Sequence, residues 1–359
     1  MKKHEKSKKS FCPYPTGKLP AEDLVELLEK YSGKDPSIVV TPGVGKDATV
    51  IAFGGKYLVA KTDPVTFATD QVGWYAVHVN ANDVAAMGGI PRWFLATLLL
   101  PEGKTGPEEV QGIFRQISQA CQELGILLCG GHTEITVGLD RPIVVGHLLG
   151  EAEEEKLIVP EEICPGDEII LTKGIAIEGT SIIGREVEGL EDLIGKEWTK
   201  RCRDLLISPG ISIVEEARTA NSAAIVHAMH DPTEGGLVTG LHEMAQAGKV
   251  GMRVEMERIP ILPETTLVCR ELKLDPLGLI ASGALLIAAP EPEALKIIGA
   301  LESKGIPATI IAKVWEKEKG VKIYREGEEE DLPVFQRDEL ARLFEMGKYS
   351  SSFFPSRNQ

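Results

Sequence analysis

A chain of 359 residues is long enough for two cores, and 43% hydrophobic with 26% charged residues is an ordinary globular composition. The formal net charge of −15 argues against nucleic acid or an anionic membrane as partner, and an anionic ligand would need local neutralisation. No apolar run reaches the ~18 residues of a membrane span. The six cysteines (Cys12, Cys121, Cys129, Cys164, Cys202, Cys269) show no close pairing and no metal-ligand spacing; several sit in apolar surroundings, as buried thiols do, and a reducing cytoplasm suits them.

The lysine-rich start, Met1 to Ser10, lacks the apolar stretch of a secretory signal, so residues 1–18 read as a flexible basic tail. An amphipathic helix is predicted over Pro20–Tyr31, with Leu24, Leu27, Leu28 and Tyr31 on one face. The β-rich runs Ala48–Phe53 and Lys56–Lys61 flank Gly54-Gly55, a strong hairpin signal. Its register places Asp47 opposite Thr62 and close to Asp63. Two neighbouring carboxylates repel; either a cation lies between them or both are solvated turn residues. Asp70 is expected to cap a helix running to about Met87. Within it Asp83 falls among Val79, Ala86 and Met87, so it needs a cation, a salt bridge, or an amide from Asn80 or Asn82.

Strand Trp93–Leu100, helix Pro107–Leu124, strand Ile126–Cys129, a loop Gly130-Gly131-His132-Thr133 and strand Ile143–Gly150 complete a first α+β domain, residues 19–156. The second, residues 157–345, reads as strand Glu168–Thr172 and helices within Ile175–Val187 and Leu193–Leu206. A helix from Pro209 towards Thr219, strand Ile225–Met229 and a helix through Ala247 follow. Strand Ala284–Ala288, a helix near Pro292–Ser303 and strands at 308–314 and 321–324 close it; beyond Arg342 the chain is expected to fray, with 346–359 a tail.

Two further segments are suited to phosphate. Gly130 and Gly131 after a strand let backbone N–H groups approach an anion, with His132 and Thr133 as added donors; a plain loop is the alternative. At Asp231-Pro232-Thr233-Glu234-Gly235-Gly236, Asp231 or Thr233 can cap a helix whose free N–H groups would receive phosphate. No Walker-type loop, G-x-G-x-x-G or H-x-x-x-H is present, and His78, His147, His227 and His242 read as structural.

Lys46-Asp47-Ala48, Thr62-Asp63, Asn82-Asp83-Val84-Ala85-Ala86-Met87-Gly88, Gly130-Gly131-His132-Thr133, Asp231-Pro232-Thr233-x-Gly235-Gly236 and Ser282-Gly283-Ala284 form an ordered set. It resembles the superfamily of aminoimidazole ribonucleotide (AIR) synthetase (PurM), the hydrogenase-maturation protein HypE, selenophosphate synthetase and thiamine-monophosphate kinase. The resemblance implies a two-domain α+β fold whose N-terminal domain dimerises into a β-barrel beside a C-terminal α/β sandwich. It implies a homodimer that binds ATP, with Mg²⁺ on Asp47, Asp63, Asp83 and Asp231 and phosphate on Lys46, Thr62, Asp63, Gly130, Gly131, His132, Thr133, Thr233, Gly235 and Gly236. The implied activity is ATP- and Mg²⁺-dependent phosphoryl transfer to a small molecule or a protein-borne group. A HypE-like maturation factor acting on a partner chain and a non-catalytic nucleotide-binding regulator are the alternatives. HypE-type proteins act on their own C-terminal cysteine. The sequence here ends Ser356-Arg357-Asn358-Gln359 and its last cysteine is Cys269, so self-modification is not expected. Cys12 and Lys18 occupy a position comparable to the reactive pair of selenophosphate synthetase.

Overall fold

The computed structural model describes Tyr14, residues 17–41 and residues 43–345; Cys12, most of the predicted basic tail and the 346–359 segment lie outside the described residues. Helix α1 (Ala21–Tyr31) leads into β1 (Ile38–Val40), β2 (Thr49–Phe53) and β3 (Lys56–Val65). The Gly54-Gly55 hairpin has the expected register, Phe53 opposite Lys56. Then come α2 (Val72–Ala86), β4 (Ile90–Pro101), α3 (Pro107–Leu124), β5 (Leu127–Thr136) and β6 (Ile143–Ala152). These strands form one open sheet in the order β1-β2-β3-β6-β4-β5. Among the described residues of one chain no barrel closes.

The second sheet orders β13-β12-β9-β11-β7-β10-β8. It is built from β7 (Asp167–Thr172), β8 (Ala228–His230), β9 (Gly251–Glu255), β10 (Leu286–Pro290), β11 (Ala308–Trp315), β12 (Val321–Arg325) and β13 (Glu328–Asp331). Its helices are α4 (Ile177–Glu186), α5 (Leu190–Ile194), α6 (Lys196–Asp204), α7 (Val214–Ala223), α8 (Gly236–Gly248), α9 (Pro263–Leu272), α10 (Glu291–Ser303) and α11 (Glu339–Glu345). One face buries Leu237, Leu241 and Met244 of α8; the other buries Ala217 of α7 and Ile297 of α10. This is the layered α/β sandwich expected of the second half.

Helix α2 joins the two halves. Nearly every residue in it is buried, so it is a central helix rather than a surface one. Its asparagines bond backbone on either side. Asn80 accepts from the Asp63 N–H at 2.9 Å, while Asn82 donates to the Ile211 carbonyl at 2.8 Å and accepts from the Ile213 N–H at 2.9 Å.

Several boundaries differ from the sequence expectation. Asp70 does not cap α2: Gln71 stands at the cap in a left-handed conformation, and Asp70 pairs with Arg185 at 2.5 Å. The apolar face of α1 is only partly covered, with Leu27 and Tyr31 exposed. Helix α7 starts at Val214, because Pro209 and the positive φ of Gly210 interrupt the chain before it. Beyond Arg342 the chain stays helical to Glu345, with Leu343 buried and the Phe344 ring 6.1 Å from Phe67.

Candidate functional site

A cleft of about 800 Å³ opens between the halves, lined by Asp47, Lys61, Asp63, Asp83, Glu178 and Asp231 among others. Strand alternation on β3 turns Lys61 and Asp63 towards it and Thr62 away to an exposed position, so Thr62 does not line it. Asp83 reaches it from α2, Asp231 follows β8, and Glu178 lies in the first turn of α4.

The charge between the first carboxylates is the Lys61 ammonium, 3.0 Å from Asp83 and 3.2 Å from Asp63. Asn80 and Asn82 are committed to backbone, which leaves Lys61 as the partner that the buried Asp83 requires. Burial opposes the Lys61 charge, but Asp83, Asp63 and Asp47 outweigh it and hold the ammonium well above its ordinary range. Asp47 lies 2.7 Å from His230 Nδ1, and His230 Nε2 lies 3.0 Å from Glu243. The Nδ1 atom makes no directed hydrogen bond, so charge attraction joins Asp47 to it. Burial works against the His230 charge, yet Asp47 and Glu243 lift its pKa to about 10.

Other oxygens have no partner. Asp47 Oδ2, both oxygens of Asp231 and Glu178 Oε2 are buried without a hydrogen bond. Burial, then repulsion from Asp83 and Asp47, raises Asp231 well above the usual carboxylate range. Burial likewise pushes Glu178 up to about 8. Oxygen-only donors short of positive charge suit a hard divalent cation, so the residues present fit Mg²⁺.

The remaining predicted residues divide. Lys46 lines the cleft and pairs with Glu161 at 2.6 Å. Thr233 lines it and accepts from Lys18 Nζ at 3.0 Å, so Lys18 is folded against the site rather than part of a loose tail. Neither Thr233 nor Asp231 caps α8. The Gly235 N–H donates to Asp338 Oδ2 at 2.6 Å and the Gly236 N–H to the Thr233 carbonyl at 3.0 Å, so both amides expected to receive phosphate are engaged. Gly130, Gly131, His132 and Thr133 are not a loop; they lie inside exposed edge strand β5, away from the cleft of the same chain. A Cβ on Gly131 would collide with the Ala96 carbonyl oxygen, so that glycine serves close pairing with β4.

Lys61, Glu178, His230, Glu243 and Asp338 were not singled out from sequence. For Lys61 the signal was present, since alternation along β3 puts it on the face of Asp63. For Glu178, Glu243 and Asp338 the proximity is purely tertiary.

An α/β sandwich joined through a buried helix to an open mixed sheet, with an acidic cleft at the seam, defines the class. Three solved structures share this fold: Escherichia coli HypE (23% identity, TM-score 0.70, covering 90% of this chain and 99% of that one), a HypE in complex with ATP (21%, 0.65, 91% and 98%), and Aquifex aeolicus thiamine monophosphate kinase complexed with AMPPCP and TMP (22%, 0.69, 88% and 95%). Residues 45–152 match the AIR synthase related protein N-terminal domain and residues 164–325 its C-terminal domain. The chain belongs to the AIR synthase-related family. A Methanocaldococcus jannaschii protein named for hydrogenase expression and formation is 29% identical over 309 residues, covering 82% of this chain and 89% of its own. The carbamoyl dehydratase HypE of Rhizobium leguminosarum bv. viciae is 27% identical over 258 residues, covering 69% and 70%.

Proposed function

We propose that this chain is an ATP- and Mg²⁺-dependent enzyme of the hydrogenase-maturation type, acting as a carbamoyl dehydratase would on a carboxamide carried by a protein partner. The observation that carries this reading is the convergence of Asp47, Asp83 and Asp231 from three separate segments, with three buried oxygens lacking partners. Similarity to relatives named for hydrogenase maturation favours a maturation substrate over a free metabolite.

Asp47, Asp63, Asp83 and Asp231 would hold Mg²⁺, which when bound neutralises phosphate charge and fixes the nucleotide. The balanced reaction moves the γ-phosphoryl group from ATP to the carboxamide oxygen. Loss of phosphate and both amide protons, one carried on the phosphate and one released to solvent, then leaves a nitrile, ADP and phosphate. Lys61 balances Asp63 and Asp83 before the cation arrives and would donate to incoming phosphate oxygens. Glu178, pushed up to about 8 by burial, would accept a proton from the amide nitrogen when ionised and hold it at neutral pH until it leaves to solvent. His230 holds Asp47 in place.

A homodimer through β5 belongs to the same proposal. That ten-residue edge strand is exposed along nearly its whole length, with Leu127 and Ile135 more than half accessible. A phosphate role for Gly130, Gly131, His132 and Thr133 then depends on a second chain bringing them to a cleft.

The test supplies ATP, MgCl₂ and an S-carbamoylated cysteine peptide, reading ADP and peptide thiocyanate. Formation of both, lost in Asp231→Asn, supports the reading. ADP stimulated only by a free metabolite would favour a small-molecule kinase, and ATP binding without turnover on any substrate would make the chain a regulator.

A further inference from the structure

The end of β8 remote from the cleft carries a second polar cluster, none of which lines the cleft. Cys164 Sγ lies 3.7 Å from His227 Nδ1 and 3.8 Å from both oxygens of Asp167, and His227 Nδ1 lies 2.9 Å from Asp167 Oδ2. Zinc bonds of about 2.3 Å to sulfur and about 2.0–2.2 Å to nitrogen and oxygen, at tetrahedral angles, give ligand-to-ligand edges of roughly 3.4–3.6 Å. The cluster therefore needs shifts of only about half an ångström to coordinate such an ion.

The backbone holds these ligands from two directions. Cys164 and Asp167 end the tight turn Cys164-Pro165-Gly166-Asp167, closed by the Asp167 N–H on the Cys164 carbonyl at 3.2 Å. Asp167 Oδ2 accepts the Cys164 N–H at 3.0 Å, and the Gly166 N–H donates to the Val314 carbonyl at 3.0 Å. His227 immediately precedes β8 and its N–H donates to the Ala288 carbonyl at 2.9 Å. Strands β7 and β8 flank β10, so the ligands come from two positions on one rigid sheet. Asp167 is buried, His227 is about a quarter exposed and Cys164 is exposed, which leaves a solvent-facing side for a fourth ligand.

We propose that Cys164, Asp167 and His227 form a zinc site, with water in the fourth position. One thiolate, one imidazole nitrogen and one carboxylate make a borderline-soft set that suits zinc and disfavours magnesium. On binding, the thiol proton leaves to solvent; thiolate and carboxylate then balance the two charges of the ion, and the imidazole binds neutral. Without metal the same atoms form an Asp167–His227 hydrogen bond with the thiol beside it. That arrangement gains from sulfur only a weak thiol hydrogen bond to Asp167 that a hydroxyl can replace, and Cys164→Ser tells the two apart.

The full chain is stripped with a chelator and dialysed against ZnCl₂, and bound zinc is counted by elemental analysis. Co²⁺ substitution then reports thiolate ligation as a charge-transfer band. One zinc per chain and a cobalt–thiolate band are expected. Cys164→Ser and His227→Gln should each weaken zinc binding by at least the ~10–100-fold that losing a supporting partner costs. Asp231→Asn, in the cleft, should leave zinc binding unchanged. Matching circular dichroism spectra of the metal-free proteins establish that the variants fold. No zinc retained by the wild type, no thiolate band, or equal zinc in Cys164→Ser would each overturn the site; loss of zinc in Asp231→Asn would move it to the cleft.

Discussion

Strand β8 is three residues long, yet its two ends face different chemistries. At the cleft end, His230 and Asp231 enter a buried cluster of oxygen donors near the Lys61 ammonium. At the other end, His227 meets a thiol and a carboxylate in a small, partly open group. The first has more carboxylates than it can balance and suits a hard ion that arrives with phosphate. The second is nearly satisfied by its own hydrogen bond and suits a softer ion that stays. Donor type and hydration, rather than position in the sheet, separate the two.

The sharpest way to break this contrast is Asp231→Asn. ADP formation should fall on the order of 100-fold or more, because an oxygen ligand for the proposed cation is lost. The melting temperature in metal-free buffer should rise, since a partnerless buried carboxylate is removed. An unchanged rate in a coupled ADP assay would detach Asp231 from the chemistry.

Lys61→Met comes next. It leaves Asp83 buried without its ammonium, so urea unfolding without Mg²⁺ should show a loss of about 3–5 kcal/mol, the usual cost of breaking a buried pair. Mg²⁺ with ATP should return part of that loss. Equal stability of variant and wild type would mean that Lys61 does not carry the local charge balance.

A smaller, pH-dependent effect belongs to His230. Its pKa rises from 6.5 to about 10 on folding, while Glu243 is lowered from 4.5 to about 2 because His230 and Lys18 outweigh its burial. The folded state therefore keeps a proton on His230 that the unfolded chain releases above 6.5. The stability advantage of wild type over His230→Gln should be full between pH 4.5 and 6.5 and fade as pH rises towards about 10. An advantage that grew with pH in denaturant titrations would contradict the Asp47–His230–Glu243 arrangement.

The mildest change lies away from both ends of β8. Ile135→Lys on the exposed face of β5 should shift the chain towards monomer in sedimentation while leaving zinc binding intact. A dimer unaffected by it would place the subunit contact elsewhere.

Much of the cleft was legible because its residues sit at strand ends and in a helix with clear local signals. Asp47 and Asp63 follow from a glycine hairpin of fixed register, and Asp83 from a charge on an apolar helical face. The Gly130–Thr133 stretch misled because glycine after a strand signals either close anion approach or close strand pairing, and only Ala96 across the ladder decides between them. Lys61 was overlooked because one lysine in a strand is usually solvated; what distinguishes it is Asp63 two residues along the same strand together with Asp47 and Asp83 from other segments. Cys164 and Asp167 lie three apart, but their third member is 63 residues away from the cysteine, a separation that no spacing rule detects. Asp338 lies still further from the glycine amide it serves.

Asp338 has a practical consequence. Its carboxylate accepts the Gly235 N–H just ahead of α8 and, through the Leu340 N–H at 2.7 Å, starts the last described helix. Residues 338–345 thus tie the start of α8 to the cleft wall, which Ala341 and Phe344 help to line. A chain shortened ahead of Asp338 should lose the proposed nucleotide affinity although every aspartate of the proposed cation site remains.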